Sequence, residues 1–170
     1  TKKFVFISTD KAVNPISIMG LTKRICERYL MDLNSKNETK FLITRFGNII
    51  GSNGSLMPLF EKQLESGRPL NVTSPEVTRY FINKLKACQH ILEISNLANW
   101  KHALFTFNMG KPIKIIDLAT CFLEFSGYDI QNNIEFIGLR PGEKLHEEMS
   151  SDTEELKPTI YKDILYILEK

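Results

Sequence analysis

The hydrophobic pattern opens with a short apolar run that ends in a cluster of polar side chains. Residues 4–7 hold two aromatic and two β-branched side chains, a composition typical of a buried parallel strand. Ser8, Thr9, Asp10 and Lys11 stand where that strand should end. Ligands of open α/β sheets bind at the carboxyl ends of strands, so a hydroxyl, an acid and a base there favour catalysis. A polar loop with a helix-capping aspartate is the plain alternative.

The next forty residues continue the pattern as a βαβ unit. Apolar residues that recur three and four positions apart predict a helix from residue 18 to about residue 34, and residues 40–44 form a second apolar strand. The two strands should be parallel and joined by a right-handed crossover. The polar loop at residues 45–51 should therefore lie at the same sheet edge as the first cluster.

Beyond residue 51 short strands alternate with helices. The pattern predicts helices between Ser55 and Gly67, around residues 85–95 and at residues 115–126, and strands at residues 70–72, 103–109 and 134–137, before an apolar tail at residues 159–168. The predicted fold class is α/β. Residues 1–51 are interpreted as the carboxyl-terminal part of a Rossmann-like parallel sheet, and residues 52–170 mainly as a smaller α/β substrate-binding lobe.

Composition narrows the function classes. Of 170 residues, 42% are hydrophobic and 25% charged, which is ordinary for a folded domain in water. Lys and Arg number 22 against 20 for Asp and Glu and form no basic runs, so nucleic acid is not an expected partner. No membrane span or signal peptide is present, so the expected location is the cytoplasm, and membrane anchoring of a full-length protein is left open. The chain begins inside a strand without Met, which indicates a fragment.

The cysteines and histidines predict no metal site. The cysteines are odd in number, far apart, and each falls inside a helical apolar pattern: Cys26, Cys88 and Cys121. That placement predicts buried thiols in a reducing compartment. The histidines make no metal-ligand spacing with them: His90, His102 and His146.

Four motifs occur in a fixed order along nearly the whole chain. They are S-T-D-K-A at residues 8–12 with M-G-L-T-K-R at 19–24, R-F-G-N-I-I-G-S at 45–52, T-R-Y-F at 78–81, and G-L-R-P-G-E-K-L at 138–145. Together they resemble the nucleotide-sugar 4,6-dehydratases of the extended short-chain dehydrogenase/reductase superfamily. Within that group the chain is most similar to the bacterial polysaccharide-biosynthesis UDP-N-acetylglucosamine 4,6-dehydratases. No Gly-x-Gly-x-x-Gly turn occurs, so the chain resembles the carboxyl-terminal portion of such an enzyme.

The resemblance implies a reaction of two hydride transfers with an elimination of water between them. Bound NAD or NADP takes hydride from C4 of the hexose, water leaves across C5 and C6, and the hydride returns to C6. The family assigns Thr9 to orient O4, Asp10 as the acid for the 6-hydroxyl, and Lys11 as the base for C5. Met19 stands where most of the wider superfamily has Tyr. A thioether transfers no proton, so the O4 proton moves to Asp10 or to a water held by Thr9; core packing is the alternative role for Met19.

The resemblance also implies binding residues. Those for the cofactor are Ser8, Lys23, which holds the nicotinamide ribose, and Phe46. Those for the nucleotide sugar are Asn48, Leu56, Met57, Arg79, Arg140 and Glu143. Asn48 resembles a pyrophosphate contact, and Leu56 and Met57 open a helix whose amino end favours anions. The arginines resemble diphosphate ligands and Glu143 a ribose acceptor, although such residues singly are often surface residues or local salt bridges.

The predicted function is therefore NAD(P)-dependent 4,6-dehydration of a UDP-N-acetylhexosamine to a 4-keto-6-deoxy sugar for polysaccharide synthesis. The expected UDP-N-acetylhexosamine is UDP-N-acetylglucosamine (UDP-GlcNAc). A full-length protein is expected to be a homo-oligomer, and the 170 residues alone are expected to have little or no activity. The alternatives are a UDP-sugar epimerase of the same superfamily and a non-catalytic UDP-sugar-binding remnant. The Asp10-Lys11 pair favours elimination, because simple 4-epimerisation needs no acid at C6.

Overall fold

The computed structural model describes residues 1–36, 38–52, 54–97 and 103–170. In chain order the elements are β1 (Lys3–Thr9), α1 (Ile18–Leu33), β2 (Lys40–Phe46), β3 (Asn48–Ile50), α2 (Leu56–Glu65), β4 (Leu70–Val72), β5 (Thr78–Arg79), β6 (Phe81–Asn83), α3 (Lys84–Asn96), β7 (Leu104–Phe107), β8 (Ile113–Lys114), α4 (Ile115–Ser126), β9 (Ile134–Phe136), β10 (Glu154–Pro158) and β11 (Ile164–Glu169). A single 3₁₀ turn, Asp10–Ala12, follows β1.

The main sheet has five strands in the order β1-β2-β7-β11-β10. β1 pairs with β2 and β2 with β7 in parallel, whereas β11 runs antiparallel to both of its neighbours. Thr9 lies opposite Phe46 in the β1–β2 register, so the carboxyl ends of these strands meet at one edge, as predicted. The predicted α/β class with a mainly parallel, Rossmann-like sheet is confirmed. β7, β10 and β11 return to this sheet from beyond residue 51.

A smaller group of elements packs beside this sheet. β4 pairs in parallel with β9, and α2 and α4 cover them. The residues of this second core are Phe60, Leu64, Leu70, Val72, Val77, Ile115, Ala119 and Leu123. The main sheet has a separate core, formed mostly by β2, α3 and β7. The predicted lobe elements therefore have an apolar core of their own.

The helices differ from the sequence prediction in the faces they bury. The apolar stripe of α1 is exposed at Ile18, Leu21, Ile25 and Tyr29, and the helix buries Glu27 instead. Glu27 is buried because it pairs with a buried arginine in β2. In α3, similarly, the buried residues are Ala87, His90 and Ile94, while Leu85 and Leu92 face outward.

The cysteine prediction is correct in its elements and wrong in burial. Cys26, Cys88 and Cys121 lie within α1, α3 and α4, but all three are exposed. The apolar pattern placed them on the wrong sides of their helices, because small and charged residues also contact the core. Within the described ranges, no helix has the length and hydropathy needed to cross a bilayer.

The sequence analysis missed the true bounds of two strands because each of them contains a buried charged residue. β2 extends to Phe46, beyond the predicted end at residue 44, because Arg45 is buried against carboxylates. β10 begins at Glu154, inside a charged tract of the sequence, and its first carboxylate is one of those partners. Internal ion pairing removes the usual conflict between a charged residue and a buried strand.

Candidate active site

A hydrogen-bonded hydroxyl, carboxylate and amine stand at the carboxyl end of β1. The Thr9 hydroxyl donates to Asp10 Oδ1 at 2.9 Å and accepts the Lys11 backbone N–H at 3.4 Å. Lys11 Nζ donates to the same Asp10 oxygen at 2.9 Å. Asp10 is fully buried, whereas the Lys11 side chain is 28% exposed. Lys11 is therefore the member of this group that reaches the open space in front of the strand.

Lys11 also connects this strand end to two other parts of the chain. Its Nζ donates to Asn48 Oδ1 at 3.3 Å, which brings the loop after β2 against the loop after β1, as the sequence predicts for the sheet edge. The same Nζ lies 3.8 Å from Glu147 Oε1. Glu147 is buried and was missed by the sequence analysis. The only sequence signal for it is its position two residues after the fourth motif.

Two cavities adjoin this point and share part of their walls. The first, of about 330 Å³, is bordered by Lys11, Met19 and Glu147. The second, of about 500 Å³, is bordered by substrate residues predicted from the sequence: Asn48, Leu56 and Met57. Three further residues border both cavities: Arg79, Arg140 and Glu143. A ligand that spans the two cavities would pass these arginines at its middle.

The two arginines differ in how firmly they are held. Arg79 is 6% exposed, and its Nη2 donates to Glu143 Oε1 at 2.7 Å while its Nη1 donates to the carbonyl of Thr78 at 2.7 Å. Glu143 also accepts the backbone N–H of Arg140 at 3.3 Å. The Arg140 side chain is exposed. Arg79 is thus a fixed cation, and Arg140 is free to meet an incoming anion.

The amino end of α2 adds a polar surface to the larger cavity. Ser55 precedes α2 but makes no capping hydrogen bond with its side chain. Its buried hydroxyl has no hydrogen-bond partner in the described part of the chain, and it borders the larger cavity. Free backbone N–H groups and an uncommitted hydroxyl at a helix amino end suit an anionic ligand.

Met19 and Lys23 lie one turn apart on α1 but face different surroundings. Met19 is 48% exposed and borders the smaller cavity, so core packing is not its role. Lys23 Nζ donates to the carbonyl of Ile7 at 2.9 Å and lies 4.6 Å from the centre of the Phe6 ring. Lys23 therefore lies alongside β1 and borders neither of the two cavities.

Two residues predicted to bind the cofactor direct their side chains into the interior. The Ser8 hydroxyl donates to Glu27 Oε1 at 2.6 Å. The Phe46 ring is 2% exposed and stacks on Phe107 with 4.5 Å between ring centres. In this arrangement only the main chain of either residue is left to face a ligand, and their cofactor role stays a prediction.

A buried network of ion pairs lies next to the carboxyl end of β1. Arg45 lies between Glu27 and Glu154, with Nη2 2.7 Å from Glu27 Oε2 and Nη1 2.8 Å from Glu154 Oε2. Burial disfavours the charged forms of Arg45 and Glu154, but the hydrogen bonds between the arginine and its carboxylates favour them more strongly. The pKa of Arg45 is therefore raised, and the pKa of Glu154 is lowered to about 2. Arg24 adds a 3.0 Å contact to Glu154. The network ties α1, β2 and β10 together.

The histidines are used in local contacts. His90 Nδ1 lies 2.9 Å from Glu93 Oε2 and its ring stacks on Phe107. His146 Nδ1 lies 2.9 Å from the Thr78 hydroxyl, and His102 lies outside the described residues. Among the residues that the structure describes, no three His, Cys, Asp or Glu side chains are grouped to hold a metal ion.

This combination of sheet, strand-end polar group and bordering cavities defines a Rossmann-like α/β protein of the short-chain dehydrogenase/reductase type. The chain belongs to the polysaccharide biosynthesis protein family, whose sequence profile matches residues 1–169. It is 48% identical over 164 residues to the capsular polysaccharide biosynthesis protein CapD of Staphylococcus aureus, a match that covers 95% of this chain and 27% of that protein.

Other similar proteins include two that are named as nucleotide-sugar enzymes. The UDP-glucose 4-epimerase of Rickettsia massiliae is 34% identical over 164 residues, covering 95% of this chain and 47% of the epimerase. The X-ray structure of Pen from Bacillus thuringiensis superposes with a TM-score of 0.87 at 32% identity, over 99% of this chain and 52% of that one. DesIV, a dTDP-glucose 4,6-dehydratase from Streptomyces venezuelae solved with NAD bound, has the same fold, with a TM-score of 0.76 at 18% identity over 87% of this chain and 51% of that chain. The chain thus spans about a quarter of CapD and about half of the others.

Proposed function

We propose that this chain supplies the catalytic strand and the sugar-binding lobe for NAD(P)-dependent 4,6-dehydration of a UDP-N-acetylhexosamine. The substrate is UDP-GlcNAc, and the product is a 4-keto-6-deoxy sugar for polysaccharide or capsule synthesis. The observation that carries this proposal is that Lys11 borders a cavity together with Arg79 and Arg140. A base for C5 and two diphosphate-type cations around one cavity are what elimination from a nucleotide sugar requires.

The strand-end group accounts for the proton movements. A bound nicotinamide supplies reversible two-electron oxidation at C4. Thr9 orients the 4-hydroxyl, Asp10 takes its proton and later gives a proton to the departing 6-hydroxyl, and Lys11 removes the C5 proton. The hydrogen bonds of Asp10 to Thr9 and Lys11 support this division because they fix the three groups relative to one another, with Lys11 at the cavity wall and Asp10 buried behind it. Met19 borders the cavity as a contact surface and takes no proton.

The larger cavity is the proposed nucleotide site. Asn48, Leu56 and Met57 border it together with the amino end of α2, and Glu143 is placed to accept from ribose hydroxyls while it holds Arg79. Uridine would occupy this cavity, the diphosphate would meet the arginines, and the hexose would extend toward Lys11. The UDP form of the substrate is supported by the relative named as a UDP-glucose epimerase.

The described residues fit only the nicotinamide end of a cofactor. Lys23 is placed beside β1 with an amine that already contacts a main-chain carbonyl, and it is the proposed ribose contact. The glycine-rich turn that would hold the pyrophosphate is absent from the sequence. The cofactor is therefore proposed as NAD or NADP bound with a second segment, and the 170 residues by themselves are proposed to be inactive.

The oligomeric state and the cellular location of the full-length protein are also part of this proposal. The exposed stripe of α1 at Ile18, Leu21, Ile25 and Tyr29 supports a homo-oligomer of the full-length protein, because apolar surface of this kind gains stability when covered. We place the reaction in the cytoplasm, where nucleotide sugars would be the partners, with or without an anchor to the inner face of the membrane.

The test is an assay of the full-length gene product with UDP-GlcNAc and NAD or NADP. Mass spectrometry of the nucleotide sugar should show loss of one water, and a run in deuterium oxide should show deuterium at C5. An unchanged mass together with a new C4 epimer would contradict dehydration.

The main alternative function is a UDP-sugar 4-epimerase, which would give the new C4 epimer. The 34% identity to the UDP-glucose 4-epimerase of Rickettsia massiliae favours this alternative. The Asp10–Lys11 pair favours elimination over it. A third candidate, a non-catalytic UDP-sugar-binding protein, is separated by calorimetry: heat of binding with UDP but none with NAD would favour it.

A further inference from the structure

A buried glutamate outside the sequence motifs faces the proposed base. Glu147 is 7% exposed, and its Oε1 lies 3.8 Å from Lys11 Nζ. Its other oxygen, Oε2, is buried without a hydrogen-bond partner in the described part of the chain. A buried carboxyl oxygen in that state carries a desolvation cost that a proton would remove.

The loop that carries Glu147 is fixed against the turn that carries Lys11. Lys144 Nζ donates to the carbonyl of Val13 at 2.7 Å, and Asn14 Nδ2 donates to Glu148 Oε2 at 3.1 Å. These bonds lie on both sides of Glu147 in the sequence. The loop on both sides of Glu147 is therefore held against this turn, and the Glu147 side chain is buried between them.

The surroundings of Glu147 make it a better proton acceptor than an ordinary carboxylate. Lys11 already hydrogen-bonds the buried Asp10 at 2.9 Å, and Glu147, at 3.8 Å, is the second carboxyl beside this amine. Burial raises the pKa of Glu147 and the Asp10 carboxylate adds to this rise, whereas Lys11, Arg79 and Lys144 oppose it. The net direction is toward the protonated carboxyl.

A lysine acts as a base only after it has lost its own proton. In water that proton stays on the amine near neutral pH, so a neighbouring group must accept it, and the buried Glu147 carboxyl lies 3.8 Å from the amine. We infer that Glu147 is a positioning residue that takes and stores the proton of Lys11, which leaves Lys11 as the neutral amine that accepts the C5 proton. This role rests on the proposed dehydration.

The proton and bond changes balance. First an N–H bond of the Lys11 ammonium breaks and an O–H bond forms on Glu147. Then the C5–H bond breaks as a new N–H bond forms on Lys11, its electron pair forms the C5–C6 double bond, and the C6–O6 bond breaks. The oxygen leaves as water with the proton that Asp10 received from the 4-hydroxyl. At the end Lys11 returns its proton to C5 while C6 would receive the hydride that a bound nicotinamide took from C4, so the C5–C6 double bond is saturated and the neutral pair is restored.

The experiment compares Glu147→Gln with wild type in the full-length gene product with UDP-GlcNAc and nicotinamide cofactor. Gln keeps the shape of the side chain but stores no proton. C5 deuterium exchange near neutral pH should fall at least about tenfold, a share of the usual general-base contribution. It should recover toward the wild-type rate at alkaline pH, where hydroxide can take the proton in place of Glu147. Oxidation at C4, followed by nicotinamide absorbance, should be unchanged.

Two variants serve as controls. Glu155→Gln removes an exposed carboxylate that pairs with Lys157 and should leave both rates and their pH dependence unchanged. Glu147→Asp keeps a proton-storing group and should retain more C5 exchange than Glu147→Gln. A merely structural role for Glu147 would instead lower C4 oxidation and C5 exchange together at every pH.

The outcomes separate this role from the proposed function. If wild type dehydrates the sugar and Glu147→Gln has the same pH profile, the role of Glu147 is wrong and the function stands. If wild type shows neither C5 exchange nor water loss, both are wrong. Should Glu147→Gln fail to fold, carbon-13 NMR of wild type decides: a Glu147 carboxyl that titrates at the ordinary glutamate pKa overturns the role, and one that titrates above it supports it.

Discussion

Arg45 and Glu27 are both fully buried and are joined by two hydrogen bonds, 2.9 Å from Nε to Glu27 Oε1 and 2.7 Å from Nη2 to Glu27 Oε2. Glu27 Oε1 also accepts the Ser8 hydroxyl, one residue before Thr9. The pair therefore connects α1 and β2 to the carboxyl end of β1. Because the three elements share this contact, the Thr9–Lys11 group is held by the interior as well as by its own hydrogen bonds.

Arg45→Met should destabilise the fold strongly. It leaves Glu27 and Glu154 buried without their shared cation, and breaking a buried ion pair costs about 3–5 kcal/mol of unfolding free energy. Urea denaturation measures the loss. The matched control is Arg28→Met, since Arg28 pairs with Glu169 on the surface and should cost no more than about 1 kcal/mol. Equal losses in the two variants would show that the buried network contributes little.

Acid should weaken the fold through Glu154. The pKa of Glu154 is lowered to about 2 from 4.5, so its stabilising contribution is complete above pH 4.5 and is lost as the pH falls toward 2. The free energy of unfolding measured across this range should decline for wild type. Glu154→Gln should be less stable at neutral pH and should show a shallower decline. Parallel curves for the two proteins would contradict the assignment.

Arg140→Ala should weaken nucleotide binding without unfolding the protein. The side chain is exposed and borders both cavities, so its loss removes charge-assisted bonds to the diphosphate. Removing such bonds costs about 1.5–3 kcal/mol, roughly 10- to 100-fold in UDP affinity. Calorimetry with UDP measures this, with Arg68→Ala, an exposed residue three positions beyond the end of α2, as control. Unchanged affinity in Arg140→Ala would exclude a diphosphate contact.

Asp10→Asn should abolish both oxidation at C4 and loss of water. Asp10 is the only proton acceptor proposed for the 4-hydroxyl, since Met19 transfers none, and general acid–base groups contribute about 10²–10⁴ in rate. Nicotinamide absorbance reports the first step and mass spectrometry the second. Asp32→Asn, which changes an exposed ion pair with Lys36, is the control. A 4-keto sugar that accumulates with its 6-hydroxyl intact would refute the dual role.

The sequence by itself determined the local features. It predicted α4 with its bounds at residues 115–126 and its end at Gly127, which the structure shows in the left-handed region with φ 75°. It also predicted that the polar residues after β1 and β2 meet at one sheet edge, and Lys11 does bond to Asn48 there. These features follow from short-range periodicity, from the freedom of glycine at positive φ, and from the fixed geometry of a parallel βαβ unit.

Only the tertiary structure decided which side chains became buried partners. Glu27, Arg45 and Glu154 lie on three separate elements, and charge alone marked each of them as a surface residue until the fold brought them together. For the same reason the apolar stripe of α1 faces outward and Glu147 faces Lys11. A single sequence records periodicity within an element. The energy that buries a charge depends on partners from distant elements, and only their packing brings those partners together.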